Sequence, residues 1–334
     1  MKKVSVIVPA FNAHDTLSRC LGSLVNQTLQ EIEIIVVNDA STDDTWEIIK
    51  RCESLFPDKI IAIDSGVNRG SGGARNLALE NSSGEFIGFV DSDDFVASDM
   101  FEKMYSEAIA SDADFVDCGI YSEEAEKSSI FVRDELAGVL SDDKRRTLIM
   151  EGGYLVTKLF KRKMFFDPPV RMRERIRCLE DNDILKYMIL KAEKISNVKE
   201  VLYNYSNTSE SQTKNMEMLT YFESIYGVIK GTYELCHDLK NYDKVFDIFE
   251  YFYMLWYSYG INRCLYDAIV NYGADTAYIK NYFSEIGERE KNLLRKLAYL
   301  KKSIISNDYR NNSEVKNNLS ELDIQIMEEC DRLF

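Results

Sequence analysis

The sequence has only two histidines, His14 and His237, too few and too far apart for a zinc site or a histidine-based catalytic triad. Its seven cysteines, at positions 20, 52, 118, 178, 236, 264 and 330, never form a Cys-x-x-Cys pair. An odd, scattered set reads as reduced thiols of a cytoplasmic protein, which excludes a disulfide frame. Positive charge is also short: 41 Lys and Arg face 56 Asp and Glu, a formal net charge of −15. Broad nucleic-acid binding needs a basic face, so that class is set aside. No apolar run approaches a membrane span, and the most apolar stretch, 245–260, is interrupted by Asp247 and Glu250. The first apolar run stops at Pro9, too short for the core of a secretory leader. Low-complexity tracts and long linkers are missing as well. What remains is a soluble protein of 334 residues, 45% hydrophobic, or one that touches a membrane only at its surface.

What is present begins with an alternation. Apolar, β-branched runs at 4–8, 32–37, 60–63 and 86–90 predict buried strands of a parallel sheet. Helical segments are expected at 16–27, 43–55 and 73–80, the second opened by Ser41 and Asp44 as a variant capping box. The strand starts lie 28, 28 and 26 residues apart, the size of a βαβ unit. Beyond them, 112–121 and 195–207 read as strands, and 152–160 as a mixed segment with Lys158 inside it. An amphipathic helix before residue 192 would be capped by Asp181 or Asn182. From about residue 216 the chain turns helical, with Phe246, Phe249, Phe252, Tyr253 and Trp256 able to share one broad face. The fold class is α/β, with a helical extension after a boundary near 215.

The strand ends carry the chemistry. They are Pro9-Ala10-Phe11-Asn12, Asn38-Asp39-Ala40-Ser41, Asp64-Ser65-Gly66 with Asn68-Arg69-Gly70 beyond, and Asp91-Ser92-Asp93-Asp94. In a parallel sheet, ligands bind outside the carboxyl ends of the strands. Polar loops explain one such end easily, and four acidic or amide ends poorly. Two carboxylates about 5 Å apart repel by roughly 3 kcal/mol at an effective dielectric near 20. Three of them after a buried strand therefore anticipate a cation. A solvated turn or the cap of a helix over 98–110 is the alternative, but a cap needs only one acid. Mg²⁺ and Mn²⁺ favour few protein carboxylates and complete their shell with phosphate oxygens and water.

Other motifs read two ways. Asp39 suits a turn, or accepts from a base or ribose. The glycine-rich 68–76 leads into a helix, so its backbone N–H groups could approach a phosphate, with Arg75 as a partner. It lacks both Gly-x-Gly-x-x-Gly and the Walker pattern, and plain flexibility is the alternative. Glu180-Asp181 opens a helix, where the dipole favours acids, or supplies a general base. Arg171, Arg173, Arg175 and Arg177 recur at period two, giving a solvated strand edge or an anion-binding face. Leucines 293, 294, 297 and 300 share a face of a basic helix, which packs on the protein or rests on an anionic membrane.

Taken in order, VSVIVPAFNA (4–13), VVNDASTDDT (36–45), NRGSGGARN (68–76), GEFIGFVDSDD (84–94), TKLFKR (157–162) and LEDNDI (179–184) resemble the family 2 glycosyltransferases. That family is inverting and has the GT-A fold, a Rossmann-like, mostly parallel mixed sheet flanked by helices. The resemblance spans about the first 185–205 residues and not the helical tail. It implies a catalytic domain over 1–215, its nucleotide-binding half at 1–100 and its acceptor-binding half at 101–215. Residues 216–334 would select the acceptor, self-associate or touch the membrane surface.

By the same resemblance, Pro9, Ala10, Phe11, Asn12, Asp39, Asn68, Arg75, Asp91 and Ser92 would line the nucleotide pocket. Asp93 and Asp91 would hold Mn²⁺ or Mg²⁺, Asp181 would be the general base, and Glu180 would orient the acceptor. Lys158, Arg171 and Arg173 would meet the acceptor or a phosphate. The implied donor is a nucleotide sugar, UDP-sugar foremost, and the acceptor a hydroxyl of a glycan, lipid-linked or polymer chain. The implied place is the cytoplasm, or the inner face of a membrane. Two features depart from the family's pattern: the glycine loop is unusually rich, and no histidine stands where a second metal ligand is recruited. A nucleotidyl or phosphoryl transferase with the same acids, and a non-catalytic sugar-nucleotide-binding assembly protein, are the competing readings.

Overall fold

Uninterrupted β-branched runs become strands where helices cover both faces of a sheet, because every side chain is then buried. The computed structural model describes residues 2–176, 178–206, 218–264 and 287–333. In it, Val4–Ala10 (β1) and Ile32–Asn38 (β2) are buried at every position. With Ile60–Asp64 (β3) and Phe86–Phe89 (β4) they form a parallel set in the order β3-β2-β1-β4. Helices Leu17–Val25 (α1), Thr45–Leu55 (α2) and Gly70–Glu80 (α3) connect these strands.

The sheet then turns mixed. Its further strands are Phe95–Val96 (β5), Phe115–Ser122 (β6), Lys127–Ser129 (β7), Gly138–Val139 (β8), Lys158–Lys161 (β9) and Lys194–Tyr205 (β10). β9 lies antiparallel between β4 and β6, β6 pairs parallel with β10, and β5 closes the path antiparallel to β10. Helices Met100–Ser111 (α4), Asp142–Glu151 (α5), Lys163–Phe166 (α6) and Asp181–Lys191 (α7) flank it. The parallel half aligns the ends of β1 to β4 on one edge.

Helix starts depart from the sequence reading in physical ways. The Oδ1 of Asp43, not Ser41, accepts the Thr45 N–H at the head of α2 (3.0 Å), while Ser41 Oγ accepts the Asn12 N–H (3.0 Å). Helix α7 has Glu180 in its N-cap position with no side-chain cap, so neither Asp181 nor Asn182 caps it. Helix α3 begins at Gly70, three residues earlier than expected, and takes the glycines into the helix itself. A Cβ on Gly72 would stand 2.2 Å from the Arg173 carbonyl oxygen. These glycines let the 172–175 segment press against α3.

By contact density the chain divides into two compact units, one drawn from Met1–Ile176 and Glu180–Lys214, the other from Arg177–Leu179 and Asn215–Phe334. The second contains helices Met218–Cys236 (α8), Phe246–Cys264 (α9), Glu288–Ile304 (α10), Ser313–Asn318 (α11) and Glu321–Leu333 (α12). Helix α9 is buried at every position from Ile248 to Met254, so it is wrapped on all sides. The single aromatic face expected there is incomplete: Phe246 and Trp256 stay half-buried. Leu293, Leu294 and Leu297 of α10 are buried, as packing requires. Among the described residues, no helix is long and apolar enough to cross a membrane.

Candidate active site at the strand ends

The ends of β1 and β2 are tied together by their own polar residues. Asn12 Oδ1 accepts the Thr42 N–H (2.8 Å), and the Asp39 N–H donates to the Ala10 carbonyl (2.8 Å). Asn12 and Ala40 adopt positive φ values of 48° and 58°, a conformation that costs about 1–3 kcal/mol for a side chain such as alanine's. Pro9 and Ala10 are buried, Phe11 is half-buried and Asn12 and Asn68 are exposed, so the turn opens outward.

Asp39 is 2% exposed and accepts the Arg69 N–H at the head of α3 through Oδ1 (2.8 Å). Ser65 Oγ donates to the same oxygen (3.3 Å), and Asn68 Nδ2 reaches the Asp39 carbonyl (3.2 Å). One oxygen of Asp39 thus fixes the start of α3; the other takes no hydrogen bond from the described residues.

After β4 the three carboxylates separate. Asp91 and Asp93 are half-buried on the turn, but Asp94 is fully buried. Asp94 accepts the Tyr203 hydroxyl (2.6 Å) and the Ser206 N–H (2.8 Å) at the end of β10. Burial, and then the charges of Asp91 and Asp93, push its pKa up to about 8. Near neutral pH it is mostly protonated, which removes much of the repulsion that three adjacent carboxylates would suffer. Tyr203 Oη in turn accepts the Asp91 N–H (3.2 Å), and Arg19 donates to the Asp93 carbonyl (2.9 Å) and Ser206 Oγ (2.6 Å).

Arg75, 4% exposed, joins this turn to α7. Its Nη2 donates to Asp91 Oδ1 (2.7 Å) and its Nη1 to Glu180 Oε1 (2.5 Å), where Ser71 Oγ also donates (2.5 Å). Burial opposes the charge on Glu180, but Arg75 and Ser71 outweigh it and hold the carboxyl below its usual range. Its neighbour moves the other way: burial, then the Glu180 charge, raise Asp181 to about 6. One acid is held ionised and the next is poised near neutrality, a separation suited to proton transfer.

The residues expected at an acceptor or phosphate face are not brought there. Lys158 is buried inside the sheet, where its Nζ donates to Asp117 Oδ1 (2.8 Å) with both side chains 0% exposed. A lysine so enclosed needs an acid beside it and cannot meet a solvent-borne ligand. Arg173 donates to the buried Asp183 (3.1 Å), and Arg171 to the Val170 carbonyl (2.9 Å). The 171–176 segment is not a strand, and Arg175 has a φ of 63°, so the period-two spacing does not create one arginine face. Arg177 lies outside the described residues. Sequence reading missed Ser71, Arg19, Tyr203 and Asp117. Only the pairing of distant segments identifies them.

The donor set fits a hard divalent ion that arrives with phosphates. Asp91 and Asp93 offer carboxylate oxygens alone, and among the described residues no group of three or more His, Cys, Asp or Glu could hold a metal ion. Protein ligands of this kind leave most of an octahedral shell to a diphosphate and water.

Residues 5–170 match the family model described as Glycosyl transferase family 2. The uncharacterized glycosyltransferase EpsJ of Bacillus subtilis is 31% identical over 63% of this chain and 63% of its own length. The poly(ribitol-phosphate) beta-glucosyltransferase of Bacillus spizizenii is 33% identical over 58% of this chain and 30% of its own. The chain therefore spans less than two-thirds of the length of these curated relatives. A crystal structure of S. aureus TarS 1–349 with UDP-GlcNAc superposes with a TM-score of 0.63 over 94% of this chain and 91% of that one. At 20% identity, that likeness establishes a shared fold.

Proposed function

The chain belongs to glycosyl transferase family 2, and on that premise we propose that it moves a sugar from a UDP-sugar to a hydroxyl of a glycan, lipid-linked or polymer acceptor. The observation that carries this reading is the Arg75 bridge, which holds Asp91 of the donor-side turn and Glu180 of the acceptor-side helix on one guanidinium. The hydroxyl that the base activates must reach the anomeric carbon of the donor, and the shared guanidinium keeps the two acidic segments side by side.

In this reading the turns after β1, β2 and β3 receive the nucleoside. The second oxygen of Asp39 accepts from the base, as suits a uracil N–H. TarS, of the same fold, has been crystallised with UDP-GlcNAc, which supports a uridine donor. Asp91 and Asp93 would hold Mn²⁺ or Mg²⁺. A divalent ion bound there supplies neutralisation of the charge that grows on the leaving diphosphate.

Asp181 accepts the proton of the acceptor hydroxyl, which is a weak nucleophile near neutral pH without a base. That hydroxyl attacks the anomeric carbon from the face opposite the diphosphate, so one displacement inverts configuration. Glu180, kept ionised by Arg75, raises the basicity of Asp181 and helps orient the acceptor.

The test is calorimetric titration with UDP, with and without Mn²⁺, on wild type and Asp93→Ala. UDP should bind wild type, Mn²⁺ should strengthen that binding about tenfold or more, and Asp93→Ala should lose the Mn²⁺ effect. Absence of UDP binding, or a Mn²⁺ effect that survives in Asp93→Ala, contradicts the assignment.

A further inference from the structure

Two exposed tyrosines and a half-buried phenylalanine stand near this site. Tyr154 is 53% exposed and Tyr205 39% exposed. The half-buried Phe131 meets Tyr154 edge to face, with ring centroids 5.4 Å apart. Burial, then the negative charges of Asp94, Asp93 and Asp91, push the Tyr205 hydroxyl up to about 12, and Tyr154 adds to the effect. Tyr205 shares a face of β10 with Tyr203, whose hydroxyl donates to Asp94, and the Ser206 N–H beside it also donates to Asp94 (2.8 Å), so Tyr205 stands next to the Asp-x-Asp turn. The 3₁₀ turn Leu155–Thr157, directly after Tyr154, packs against both β4 and α7, the elements that lead into Asp91 and Asp181.

The rings are held in place from below. Asp117 Oδ1 accepts Lys158 Nζ (2.8 Å) and the Thr157 hydroxyl (2.6 Å), and Lys158 Nζ also donates to the Tyr154 carbonyl (3.0 Å). The other oxygen of Asp117 accepts the Val132 N–H (3.1 Å), next to Phe131. One buried carboxylate thus anchors both chain segments that bear the ring pair. Gly153, at a φ of 73°, leaves room for Phe131: a Cβ there would stand 2.2 Å from the ring. The Lys158–Asp117 ion pair thus lies directly beneath the backbone that carries Tyr154 and Phe131.

We propose that Phe131, Tyr154 and Tyr205 form an acceptor subsite that stacks a neutral sugar ring. The proposal rests on the transferase reading and names the class of its acceptor. A pyranose offers a face of polarised C–H groups to the rings and a rim of hydroxyls to the phenolic oxygens, which match the amphipathic build of tyrosine. Asp91 and Asp93, together with the diphosphate they would receive, keep this corner negative, so a hexose or N-acetylhexosamine unit fits better than a phosphate-bearing one. The turn directly after Tyr154 packs on α7, the helix that Asp181 opens.

Saturation-transfer NMR with cellobiose, di-N-acetylchitobiose, lactose and ribitol 5-phosphate tests this, in the presence of UDP and Mn²⁺. At least one neutral disaccharide should bind wild type through its ring protons. Tyr154→Ala should weaken that binding about tenfold while its melting temperature changes little, since the ring is half in solvent. Tyr154→Phe should keep most of the affinity, and Tyr205→Ala should repeat the loss. Equal binding by Tyr154→Ala and wild type overturns the proposal. So does binding of ribitol 5-phosphate with no neutral disaccharide bound, or of none of the probes. UDP titration of the wild type separates the two readings: a ledge that binds sugars on a chain that does not bind UDP leaves the subsite standing and removes the transferase.

Discussion

Asp181→Asn should make the protein more stable at pH 8 and nearly inactive. The Asp181 pKa rises from 3.8 to about 6 on folding, because burial and the Glu180 charge disfavour its ionised form. A folded pKa above the unfolded one means stability that is full below the unfolded value and lost as pH rises through about 6. About two units at 1.36 kcal/mol each give up to about 3 kcal/mol carried by ionised Asp181, and solvent at the half-buried cleft trims this toward half. Asparagine has nearly the same shape and no charge. Differential scanning calorimetry at pH 4 and pH 8 should show a small difference at pH 4 and a gain of several degrees at pH 8, at about 2–4 °C per kcal/mol. Turnover should fall about 10²–10⁴-fold, the range for a lost general base. A variant that melts at or below the wild type at pH 8, or gains equally at both pH values, refutes the reasoning.

Glu180→Gln removes the charge that raises Asp181, so the acidic limb of a kcat/KM–pH profile should move below about 6; an unmoved limb would uncouple the pair. Arg75→Ala leaves Asp91 and Glu180 without their shared cation. It should cost about 3–5 kcal/mol in thermal or denaturant unfolding, as for breaking a buried ion pair. Lys158→Met strands Asp117 in the sheet and should destabilise by a similar amount, about 3–5 kcal/mol. Gly72→Ala forces a Cβ against the Arg173 carbonyl and should cost about 1–3 kcal/mol, where an open loop would tolerate it.

The parallel half of the sheet was legible because full burial leaves runs such as Ile34–Val37 with no polar face, a pattern few other environments produce. Strand ends were legible for the same reason: parallel order puts Asn12, Asp39 and Asp91 on one edge once the strands are known. Identical residue types were harder to tell apart. Nothing in DSDD distinguishes Asp94 from Asp91 and Asp93; Tyr203, 109 positions away, makes that difference. Lys158 reads alike as a ligand or as a buried ion, and Asp117, 41 positions earlier, decides. Gly72 reads as a flexible loop residue until the 172–175 backbone is laid across it. Each of these assignments depends on a long-range pairing that local pattern does not encode.

The most direct measurement of the central claim is UDP release from a panel of UDP-sugars with Mn²⁺ and an acceptor saccharide, on wild type, Asp93→Ala and Asp181→Asn. At least one UDP-sugar should be consumed by the wild type with matching glycoside formation of inverted configuration. Asp93→Ala should lose Mn²⁺-dependent turnover, and Asp181→Asn should bind UDP yet release it from the donor about 10²–10⁴-fold more slowly. Glycoside formed with retained configuration, or full turnover by Asp181→Asn, would contradict the account.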